Sequence, residues 1–120
     1  MDFPKQDITL YHKDTNQKTY YKYTLIASVR DTSIQNRNRT GVSSTDKALI
    51  RIFASDHNPD TYRVEKGDLI VNMAIDDDIS YEKGLTELRE RYGESNTYKI
   101  NTIDKFIFGE ELDHIKLGAV

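Results

Sequence analysis

Three consecutive carboxylates, Asp76, Asp77 and Asp78, form the densest cluster of oxygen donors in the chain, the chemistry that hard divalent cations take. Their spacing opposes a metal site. Neighbours on an extended chain point to opposite sides, and the alternating oxygens of a calcium loop with its closing glutamate are absent. Lying just ahead of an amphipathic stretch, they are expected instead to favour a helix N-terminus. His12, His57 and His114 are scattered without the paired spacing of a zinc site, and Ser43, Ser44 and Ser80 have no nucleophile-elbow context. No glycine-rich phosphate loop occurs. Catalytic residues, metal and cofactor are therefore all expected to be none.

Two further groupings bear on binding. Arg30, Arg37 and Arg39 near Tyr20, Tyr21 and Tyr23 combine charge with stacking surface, as in barrels that hold single-stranded nucleic acid. Against that stand tyrosines that pack as cross-strand pairs and a net charge of −3, so nucleic acid is not the expected partner. Within YRVEKGDLIVNM, residues 62–73, Gly67 can take a positive φ without penalty and Asp68 can accept a local backbone hydrogen bond. The pair reads as a structural turn.

The elements that must carry these residues follow from length and periodicity. At 120 residues the chain is expected to be one domain, 1–120, with a modest core. Hydrophobic residues make up 37% and charged residues 31%. The absence of cysteine removes disulfides and thiolate sites, and no stretch has the length of a signal core or membrane span. Synthesis in the cytoplasm and no membrane contact are the expectations. Charge is uneven: residues 1–60 carry 9 Lys and Arg against 7 Asp and Glu, residues 61–120 carry 8 against 13. The halves, at +2 and −5, suit head-to-tail contact between copies.

DITLY sets Ile8 and Leu10 on one face, DTNQ supplies a turn, and KTYYKYTLIASVR alternates over a long half-buried strand. Residues 31–47 have Ile34 and Val42 as their only large apolar groups and no periodicity, which predicts a long polar loop that is mobile or functional. ALIRIF returns to alternation, LIVNMAI is apolar on both faces, and TYKINTI and FIFGEELDHIKL read as strands with a turn at Gly109. Tyr81, Leu85, Leu88 and Tyr92 form one stripe, predicting a helix over about 79–92 that ends at Gly93. The fold class is mainly β: a small antiparallel β-barrel or compact sandwich of six or seven strands with one α-helix, the barrel preferred. Leu25, Val29, Ile50, Ile52, Leu69, Val71, Leu88, Ile100 and Ile115 occupy the expected core positions.

With strands placed, the order of landmarks resembles that of small phage and prophage proteins of Gram-positive bacteria. The landmarks are DITLYHK, the loop and strand from Thr45 to Ile52, YRVEKGDLIV, the helix region and LDHIKLGA. Tryptophan is common in that family near the terminal His-x-x-x-Gly segment, where this chain carries Ile115. The resemblance implies a head-to-tail connection component, of the head-completion, stopper or tail-completion type. It further implies self-assembly into a ring, contact with portal or tail proteins, and residence in the virion neck. Ile34, Arg37, Arg39 and Val42 are the expected assembly contacts, two apolar anchors and two cations on the polar loop. The alternative is a monomeric binding module, either a nucleic-acid-binding barrel or a phage accessory protein.

Overall fold

A computed structural model describes residues 5–31, 48–93, 96–107, 109 and 113–120. Six strands close an antiparallel barrel in the order β1-β2-β3-β6-β5-β4, with β4 pairing back onto β1. They are β1 (Gln6–Asp14), β2 (Thr19–Asp31), β3 (Ala48–Phe53), β4 (Leu69–Val71), β5 (Thr97–Phe106) and β6 (His114–Ala119). One helix, α1 (Gly84–Tyr92), lies between β4 and β5. No helix among the described residues is long and apolar enough to cross a membrane.

The β1–β2 hairpin runs from Gln6↔Ala27 to Asp14↔Thr19. Its turn is made as DTNQ suggests: Asp14 Oδ1 accepts from the N–H of Asn16 at 2.9 Å and of Gln17 at 3.1 Å, while Lys18 takes the left-handed φ of 53°. Alternation then sorts the side chains. Ile8, Leu10, Leu25, Ala27, Ile50, Ile52, Ile70, Ile100, Ile115 and Leu117 fill the barrel. Val29 is only half-buried, and Tyr21 is exposed although it shares the phase of Leu25.

Strand β4 explains why its sequence is apolar without alternation. Ile70 enters the barrel, whereas Leu69 and Val71 face outward and are covered, with Tyr11, by Leu88 of α1. The strand stops at Val71, well before Ile75. Beyond it, Thr9 Oγ1 donates to Met73 O at 2.9 Å and accepts Ile75 N–H at 3.0 Å, so a side chain replaces the ladder.

The helix begins at Gly84, later than the Tyr81 stripe suggests. Residues 81–83 form a turn in which Ser80 Oγ accepts Lys83 N–H and donates to Glu87. Gly84 itself is buried. A Cβ there would stand 2.8 Å from Ile79 Cδ1 and 3.0 Å from Tyr20 Cε2, so the glycine permits close approach at the first helical residue. At the other end the Gly93 N–H, at φ 90°, donates to Arg89 O at 2.9 Å.

Because α1 starts at Gly84, the dipole reading of Asp76–Asp78 is corrected: the three carboxylates lie outside the first turn and are held by side chains of β2 and α1. Lys22 Nζ lies 3.0 Å from Asp76 Oδ1 and 3.1 Å from Asp78 Oδ1. Asp77 Oδ2 takes the Tyr92 hydroxyl at 2.5 Å and Arg91 at 3.3 Å. Glu87 accepts from Ser80 rather than forming a salt bridge with Arg91.

Candidate functional site

His12 lies in phase with Ile8 and Leu10, so β1 carries an imidazole onto an apolar face where it needs a partner. The partner is Asp68. Its carboxylate, 1% exposed, accepts from three groups: His12 Nδ1 at 2.8 Å, Lys13 N–H at 2.9 Å and Glu65 N–H at 2.7 Å. Gly67 makes this approach possible, holding φ 93° while its N–H donates to Ile100 O at 2.9 Å. None of the described residues stands within 4 Å of a Cβ built on Gly67, so its requirement is one of backbone conformation rather than space. The turn singled out in the sequence thus fastens three chain segments: β1, residues 65–68 and β5.

Above this dyad opens a cleft of about 480 Å³, lined by His12, Lys13, Tyr21, Tyr23, Arg63 and Glu65 among others. The His12 ring stacks on Tyr21, with centroids 6.5 Å apart and planes at 17°. An ionised Asp68 can only accept, so Nδ1 carries the hydrogen and Nε2 is left as the acceptor of the neutral ring. Such a pair can hold or pass a proton, and Arg63 adds a cation at the rim. Ser80, one of the three serines without nucleophile-elbow context, donates its hydroxyl to Glu87.

The remaining candidates are dispersed. His57 Nε2 accepts the Ile26 N–H at 2.8 Å, plugging the gap where β3 diverges from β2. His114 sits between Phe53 and Phe106, at 5.6 and 4.9 Å between centroids, on the outer face of β3, β6 and β5. Among the described residues no three His, Asp or Glu are grouped to hold a metal. Near the acidic run, the hydrogen bond to Asp77 raises the Tyr92 pKa and lowers that of Asp77, while burial pushes Tyr11 up to about 12. Ile34, Arg37, Arg39 and Val42 lie outside the described residues.

A second cleft, of about 340 Å³, lies on the other side of residues 62–65. It is lined by Tyr62, Val64, Lys105 and Ile115 with Pro59 and Asp60, and shares Arg63 and Glu65 with the first. Tyr62 is 5% exposed, and its buried hydroxyl has no hydrogen-bond partner among the described residues. Periodicity gives no sign of this cleft, because the lining comes from a segment outside any strand. The His12–Asp68 pair left one trace, a histidine in the apolar phase of a strand.

Neither the curated proteins nor the solved structures give a match to this chain. The model of one protein family, DUF6751, a family of unknown function, matches residues 3–120, nearly the whole sequence, and the chain belongs to that family.

Proposed function

We propose that the protein is a structural component of the head-to-tail connection of a phage or prophage, working by assembly rather than catalysis. The observation that carries this reading is the register at one rim of the barrel. Asp31 and Ala48 are directly paired across β2 and β3, a place where a two-residue turn closes a hairpin, yet residues 32–47 intervene. A rigid closed barrel with so long a polar insertion fits a subunit that reaches to its neighbours. The opposed charges of the two sequence halves and the landmarks shared with phage connection proteins support the same reading.

In this role copies form a ring, with Arg37 and Arg39 meeting acidic surface and Ile34 or Val42 anchoring a shallow pocket on the portal or a tail protein. The protein is made in the host cytoplasm and ends in the virion neck. Deleting 35–43 is expected to leave the thermal midpoint nearly unchanged while lowering the fraction of heads that acquire tails. Normal incorporation of a well-folded deletion variant excludes the role of the loop. The second reading, a monomeric binding module, is favoured by the cleft over His12. Light-scattering mass with and without portal protein separates the two, since the module stays at the monomer mass of 13.9 kDa in both.

A further inference from the structure

Strand β5 is longer than its cover. It pairs with β6 through Phe106, but β4 meets it only at Thr97, Tyr98 and Lys99. Ile100 completes this side by donating to Asp68 O at 2.8 Å and accepting from Gly67. From Thr102 onward the side away from β6 has no strand partner among the described residues. Lys99 and Val120 exchange both main-chain hydrogen bonds, which fixes the alternation along β6. Gly118, Lys116 and His114 then face β5 opposite Thr102, Asp104 and Phe106. Ile103 and Lys105 are left directing N–H and C=O to the open side.

The cleft holding Tyr62 lies along this edge. Lys105 lines it beside Ile115, its cross-strand neighbour, and forms no ion pair among the described residues. Asp60 and Glu65 stand on the far wall, on the 59–65 segment. Phe106 and Ile107, 37% and 45% exposed, extend an apolar surface beyond the end of the edge. An unpaired strand edge recruits another strand unless something opposes it, and a lysine on the edge opposes apolar strands.

We propose that the open edge of β5 is a strand-addition site for an extended segment of a partner protein, one placing an acidic side chain opposite Lys105 and an apolar one opposite Ile103. The main chain of the segment pairs with Ile103 and Lys105, and its carboxylate meets the cation cross-strand. This site goes beyond the head-to-tail reading and does not depend on it.

The probe is an acetylated, amidated octapeptide with threonine at odd positions and valine and glutamate alternating at even ones, titrated into the full chain by calorimetry and by amide exchange in NMR. The expected result is saturable binding with at least tenfold slower exchange at Ile103 and Lys105. Lys105→Pro removes an N–H that no β6 group uses, so it should keep the thermal midpoint and lose the peptide. Lys105→Glu covers the case in which the proline variant fails to fold: it should bind the glutamate peptide at least tenfold more weakly and prefer one with lysine in its place. No binding, binding without protection of Ile103 and Lys105, or indifference to Lys105→Glu overturns the proposal. A concentration-dependent dimer that protects the same two amides overturns the partner in favour of a second copy.

Discussion

The segment from Tyr62 to Glu65 separates two clefts of opposite character. On the His12 side, the buried carboxylate of Asp68 has three donors and ties β1, the turn and β5 into one unit. On the β5 side, among the described residues, a tyrosine hydroxyl lacks a partner and a strand edge runs open past Thr102. The two walls are a few residues apart in sequence, yet one is saturated and the other is not. Saturated polar groups hold a fold in one arrangement, whereas unsatisfied ones beside an exposed edge mark where a further chain can bind.

The largest effect expected from disturbing this contrast is at Asp68. Asp68→Ala leaves the His12, Lys13 and Glu65 donors without their acceptor, and unmet buried donors cost ~1–3 kcal/mol each without strict additivity. A loss of roughly 3–5 kcal/mol in urea unfolding is expected. A loss below about 1 kcal/mol would mean that solvent meets these donors as well as the carboxylate does. Next comes Gly67→Ala. At φ 93° a side chain is strained whatever the space around it, and a cost of about 1–2 kcal/mol is expected from the same assay.

Tyr62→Phe should have the opposite sign, because it deletes a buried hydroxyl with no partner among the described residues: a gain of up to about 1 kcal/mol. A clear destabilisation would show that the hydroxyl has a partner and that the second wall is closed like the first. The smallest effect lies away from both clefts. Asp77 has its pKa lowered chiefly by the Tyr92 hydroxyl, so its contribution is present above the usual carboxylate pKa near 3.8 and fades as pH falls through the depressed value. Tyr92→Phe should therefore lower stability slightly across the neutral range, flatten the acid limb below about pH 4, and match the parent protein once pH has fallen through the depressed value.

Much of the barrel was legible because one-residue alternation leaves little freedom. Ile50 and Ile52 on β3, and Leu25 on β2, point inward as their phase requires. The hairpin turn was legible at Asp14 for the local reason that its carboxylate bonds its own neighbours. The end of β4 and the start of α1 were not. Thr9 takes over from the ladder after Val71, and Tyr20 closes on Gly84, both contacts between residues distant in sequence. The pairing of His12 with Asp68 was hidden for the same reason. The open edge of β5 was hidden too, since it depends on where β4 stops rather than on anything within TYKINTI.

Amide hydrogen exchange on the free chain measures the contrast between the two walls directly. The Lys13 and Glu65 N–H groups, both held by Asp68, are expected to exchange only with global unfolding, as are Thr102 and Asp104, which bond to β6. Ile103 and Lys105, alternate residues of the same strand, should exchange near the free-chain rate. Protection of Ile103 and Lys105 equal to that of Thr102 and Asp104 would contradict an open edge, because the edge would then already be paired.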